Sequence, residues 1–98
     1  VNAWAVFPHM HLLGQTLHLG VSPVERGATE RECLVDVQDW NFHWQQFHFY
    51  DAPVRMRVDD VITIRCTYDT RSQQEPVGYG EGTDEEMCVG AMFVTSGD

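Results

Sequence analysis

The sequence predicts an all-β fold, an antiparallel β-sandwich or jelly roll folded as a single domain over residues 1–98, and three observations carry that expectation. Apolar residues recur with a short period almost everywhere, in brief runs rich in β-branched and aromatic side chains. No window sustains the i, i+3, i+4, i+7 spacing of an amphipathic helix for three turns. Turn-forming Gly, Pro and Asp punctuate the runs, and strands joined in this way in a 98-residue chain bury their apolar faces by packing sheet on sheet.

The elements follow in order. "NAWAVF" from Asn2 alternates as a strand, and "FPHMHLLG" from Phe7 continues it. Side chains alternate faces along a strand, so His9 and His11 project on one side, roughly 6.5 to 7 Å apart, and Met10 points to the other and packs on the core. "TLHLGV" from Thr16 and "CLVDV" from Cys33 are strands separated by the turn-rich "SPVERGATE" from Ser22 to Glu30. Trp40, Phe42, Trp44, Phe47, Phe49 and Tyr50 crowd one segment with no basic residue among them, which assigns them to the sandwich core rather than to a stacking platform. "DAP" from Asp51 reads as a turn, "RMRV" from Arg55 as a strand, and Asp59-Asp60 as the next turn. "VITIRCTY" from Val61 and "CVGAMFV" from Cys88 are the last strands, with a long polar loop from Asp69 to Glu86 between them.

Composition narrows the partners. A net charge of −9 with only six Lys and Arg argues against nucleic acid and against an anionic membrane surface, both of which attract cations. No apolar run is long enough for a membrane-spanning helix, and no secretory leader opens the chain. It starts at Val1, as a mature chain or a domain of a longer protein would. Three cysteines permit one internal disulfide at most. Cys66 and Cys88 flank the long loop, and a bond between them would stabilise the fold by about 3 kcal/mol on the chain-entropy estimate. Such a bond implies an oxidising compartment, extracellular or periplasmic. Cys33 is left over, with a small buried hydrophobe as its expected role.

His9, His11 and Met87 are the residues that point to chemistry. Two imidazoles and a thioether form a soft donor set that favours Cu(I), whereas zinc more often recruits thiolate or carboxylate. Three protein ligands leave a coordination position open, the arrangement of a reactive metal. His18, His43 and His48 are scattered singly and read as hydrogen-bonded or surface residues. The run Asp84, Glu85, Glu86 lacks the alternating ligands of a calcium loop and reads as a solvated loop end, with Glu86 close enough in sequence to Met87 to influence a metal indirectly.

In their order along the chain, "HMHLLG", "WNFHWQ", "VDDVITIRCTYDT" and "GEGTDEEMC" resemble the C-terminal catalytic domain of the copper type II, ascorbate-dependent monooxygenases, and the wording is nearer to bacterial than to animal members. The resemblance implies a jelly-roll type of sandwich. It also implies one copper per chain, held by His9, His11 and Met87 and used to activate O2, and a Cys66–Cys88 disulfide. Hydroxylation of an activated C–H bond in a small organic substrate follows, with ascorbate as reductant and an N-terminal domain carrying a second copper on three histidines. This chain departs from the peptide-amidating members, which bind a substrate carboxylate with an arginine, an asparagine and a tyrosine. Phe7, Val89 and Ala91 stand at those positions and offer no charge-assisted hydrogen bond, which argues against a peptidylglycine substrate. Phe7 is either part of an apolar substrate pocket or a core residue. A copper-binding module for storage, delivery or electron transfer, without oxygenase activity, is the alternative function.

Overall fold

The computed structural model describes residues 1–24, 29–82 and 85–96 and consists of two antiparallel three-stranded sheets. The strands are β1 (Asn2–His9), β2 (Gly14–Ser22), β3 (Glu32–Val37), β4 (His48–Arg55), β5 (Val61–Tyr68) and β6 (Val89–Thr95). One sheet has the order β4-β1-β6 and the other β3-β2-β5, so the all-β sandwich expected from the short apolar period is the fold. The core between the sheets is built from the inward positions of β1, β2 and β3, Ala3, Val6, Leu17, Leu19, Val21 and Leu34, joined by Met10 just after β1 and by Met56. Met10 is fully buried there, as its place between the two histidines requires.

Connectivity decides where the chemistry lies. The passages from β1 to β2, from β3 to β4 and from β5 to β6 each cross from one sheet to the other. Antiparallel register brings all three to one rim of the sandwich, because His9 pairs with Val89, Gly14 with Tyr68, and Leu17 with Val37. The rim is thus assembled from residues 10–13, 38–47, 69–82 and 85–88. The Cys66–Cys88 disulfide joins β5 of one sheet to the start of β6 in the other, with 5.9 Å between Cα atoms, and staples the two layers at that rim.

Several expectations are corrected. β1 ends at His9, so "MHLL" is a turn between sheets rather than a continuing strand. "RMRV" is not a strand, and the "DAP" expected to turn lies inside β4. Proline is tolerated there because β4 is an edge strand whose pairing slips between Ala3↔Val54 and Ala5↔Phe49, leaving the intervening residues, Pro53 among them, out of the ladder. Met56 instead anchors in the core, with its N–H donating to the Val1 carbonyl at 2.8 Å. Of the aromatic segment, Trp40 and Tyr50 pack on the core, but Phe47 and Phe49 are 50% and 76% exposed. They lie on the outer face of the β4-β1-β6 sheet, and the Trp44 side chain lies outside the described residues. Cys33 is exposed rather than a buried hydrophobe, because Leu34 takes the inward position of β3.

Candidate metal centre

The β1–β2 turn carries the His-X-His pair and is fixed from three sides. The His11 carbonyl accepts from the Trp40 indole Nε1 at 3.0 Å and from the Gly14 N–H at 3.3 Å. The Leu13 carbonyl accepts from the Asp69 N–H at 2.9 Å. The N–H groups of His11 and Leu13 donate to the two carboxylate oxygens of Glu86, at 2.9 and 2.8 Å. Gly14 is required by crowding, because a Cβ there would stand 2.9 Å from both the Met10 side chain and the Trp40 ring.

The two imidazoles are adjacent, with ring centroids 5.0 Å apart and planes at 83°. Histidines held on the same side are what the sequence led one to expect, although the backbone that achieves it leaves the strand between them. His11 is buried, and Phe42 packs edge-on against its ring at 6.0 Å. Both rings are oriented through Nδ1. His11 Nδ1 donates to the Glu85 carbonyl at 2.9 Å, and His9 Nδ1 donates to Gln45 Oε1 at 2.5 Å. The Gln45 amide is itself oriented, since its Nε2 donates to the Phe42 carbonyl at 2.8 Å, which leaves Oε1 to face the imidazole. With Nδ1 protonated in both rings, each neutral imidazole keeps its lone pair on Nε2, the state a metal ligand needs.

Met87 is tied to this turn through its neighbours. Glu85 and Glu86 hold His11 by a carbonyl and a carboxylate, and the Met87 carbonyl accepts from the Tyr68 hydroxyl at 2.8 Å. Burial, then the charge of Glu86, pushes that hydroxyl above its ordinary range, so it stays a proton donor. Glu86 is 7% exposed and is no solvated loop end, whereas Asp84 lies outside the described residues. Its carboxylate is the clamp of the site. The signal for it was a carboxylate beside Met87 and opposite a turn with N–H groups to satisfy, and only the fold shows that the two meet.

Phe7, Val89 and Ala91 adjoin the pair. Phe7 and His9 are alternate residues of β1, and their partners across β6 are Ala91 and Val89, so all four share the outer face of the sheet. Phe7 is half-buried against Phe47, with ring centroids 5.1 Å apart, and is not part of the core. His43 is exposed and His48 half-buried, and neither joins the pair. His18 lies on β2 between Glu30 and Asp36, whose hydrogen bonds raise its pKa, that of Glu30 first.

Residues 1–94 match the model of the copper type II ascorbate-dependent monooxygenase family, C-terminal domain. The chain belongs to this family. Among its monooxygenase relatives, tyramine beta-hydroxylase of Caenorhabditis briggsae is 28% identical over 95% of the chain. Dopamine beta-hydroxylase of Canis lupus familiaris is 31% identical over 83% of it. The chain spans only 15% and 12% of the lengths of these two relatives. The donor chemistry fits the family's metal: two imidazoles with Nε2 lone pairs, and a thioether on the residue next to Glu86, which clamps the His11 turn, are soft donors that suit copper.

Proposed function

We propose that the chain is the oxygen-activating copper domain of an ascorbate-dependent monooxygenase, with His9, His11 and Met87 as the ligands of one copper ion. The observation that carries this is the pair of Nδ1-anchored imidazoles, tied by Glu86 to the segment that bears Met87. Bound copper supplies O2 activation for hydroxylation of an activated C–H bond. The protein's contribution is orientation: Gln45 and the Glu85 carbonyl hold the rings, and the layer-spanning disulfide holds the third ligand's strand.

The substrate approaches over Phe7, Val89 and Ala91, on the face they share with His9. That surface is apolar and offers no cation to a carboxylate, so a small organic substrate with an apolar or aromatic body is favoured over a peptide with a free C-terminus. Electrons come from ascorbate through a second copper domain, held by three histidines, in the full-length protein. The disulfide fits an oxidising compartment, extracellular or periplasmic.

Titration of Cu(I) into the chain and into Met87→Ala tests the ligand set. A stoichiometry of one with at least tenfold weaker binding in the variant is expected, and equal affinities would remove Met87 from the site. Ascorbate-driven O2 uptake by the full-length protein separates an oxygenase from a module that only stores or delivers copper: uptake absent in the copper-loaded protein with a range of aromatic substrates favours the module.

A further inference from the structure

A second group of metal-ligating side chains lies on the outer face of the β2–β3 pair, away from the histidine pair. His18 projects from β2, Cys33 from β3, and Glu30 from the residues leading into β3; one ligand atom from each lies within 4.8 Å of the others. Gly20, in register with Cys33, makes the space: a Cβ there would stand 1.6 Å from the Glu30 carboxylate, which lies across the strand at that point.

The two nitrogens of His18 face different surroundings. Nδ1 bonds Asp36 Oδ1 at 3.1 Å, and Asp36 is in turn held by the Gln38 Nε2 at 2.8 Å. Nε2 faces Glu30 Oε1 at 2.8 Å, with the Cys33 thiol beside it. Metal-bound imidazoles are held in this way, one nitrogen on an oriented carboxylate and the other on the ion. The donors are an imidazole, a carboxylate and a thiol, whereas the proposed copper ligands are all neutral. Two anionic donors in a chain of net charge −9 offset a divalent charge and suit Zn(II).

We propose that His18 Nε2, Glu30 and Cys33 Sγ bind a zinc ion, with Asp36 as the residue that orients the imidazole and water as the fourth ligand. A tetrahedral zinc ion with bonds of about 2.0 to 2.3 Å sets its donor atoms roughly 3.4 Å apart. The group therefore closes by about an ångström at its widest, through rotation of the exposed Glu30 and Cys33 side chains. Binding releases the thiol proton and the proton between His18 and Glu30 to solvent, with no change of oxidation state.

Cys33 is the one thiol outside the disulfide, so it provides a specific reporter. Cobalt(II) is added to the chain with its disulfide intact, and the near-ultraviolet thiolate-to-cobalt charge-transfer band is followed and then chased with Zn2+. The band is expected in the wild type and in His9→Ala, and zinc is expected to abolish it and to slow alkylation of Cys33. It should vanish in Cys33→Ser. It should need at least tenfold more cobalt in His18→Ala and in Asp36→Asn. No band in the wild type, a band of unchanged midpoint in His18→Ala, or alkylation indifferent to zinc would each overturn the site. All four positions are outward, so an unchanged urea midpoint in the metal-free variants shows that loss of the band is not loss of fold.

Discussion

Gln45 illustrates how much of the proposed metal site is held by residues outside the ligand set. Its amide fixes the tautomer of His9 because the Phe42 carbonyl has already fixed the amide. Gln45→Leu is expected to weaken Cu(I) binding by about 10- to 100-fold, and Gln45→Glu, which keeps an acceptor at the same reach, to restore most of it. Nitrogen-15 NMR of the metal-free chain gives an independent reading, since only the Leu variant should shift His9 toward the other tautomer. Loss of affinity with an unchanged tautomer would reduce Gln45 to a packing role. None of this was legible in "WNFHWQ", whose visible features are its aromatic residues and its place in the order of motifs. The His-X-His pair and Met87 could be proposed from the sequence because their chemistry is in their side chains. The Glu86 clamp was not, because it acts on backbone N–H groups 73 and 75 residues away.

Among the elements, the strands were the most legible part. β1, β2, β3, β5 and β6 follow the short apolar period, while β4 was hidden by Pro53, whose tolerance depends on an edge position that no local pattern reveals. The segment from 85 to 88 bears the proposed ligand Met87 at the rim and is held there by Glu86, Tyr68 and the disulfide. Replacing both cysteines, Cys66→Ser with Cys88→Ser, is expected to cost about 2 to 5 kcal/mol in urea denaturation. The same variant should bind Cu(I) more weakly even well below its unfolding midpoint. Wild-type copper affinity in the doubly substituted chain would show that Glu86 and Tyr68 suffice. The turn between β1 and β2 offers a sharper local test: the Cβ of Gly14→Ala crowds both Met10 and the Trp40 ring and should destabilise by about 1 to 3 kcal/mol.

At the scale of the whole molecule, two carboxylates paired with arginines contribute to the acid side of the stability curve, one across the chain and one within a turn. Arg31 and Asp60 form a two-pronged ion pair that links the residues before β3 to those before β5, and the Arg57 N–H donates to the same carboxylate at 2.6 Å. The Arg31 guanidinium holds the Asp60 carboxyl well below its ordinary range, and Arg71 lowers Asp69 to about 2. As pH falls, the unfolded chain takes up protons near pH 3.9, before either folded group does, so stability is complete above that value and declines below about pH 4. Asp60→Asn removes one of these contributions. Its urea midpoint should therefore lie below that of the wild type at pH 6 and converge toward it at pH 3, and a constant gap between the two would assign the cost to packing. Net charge read from composition foretold the acidic surface but not this pairing, which joins residues 29 apart in sequence.

The alternation along β1 and β6 has an evolutionary consequence. Phe7, Val89 and Ala91 face outward, while the residues interleaved with them, Val6, Pro8, Gly90 and Met92, face the packed interior. A Cβ at Gly90 would crowd Leu19, whose side chain lies 3.1 Å from where it would sit. On the function proposed above, mutations that retune the substrate are thereby uncoupled from those that would damage folding. The proposed substrate row can then change with the proposed metal ligands and the interior left untouched, so a designer can randomise Val89 and Ala91 ahead of Phe7, whose ring packs on Phe47.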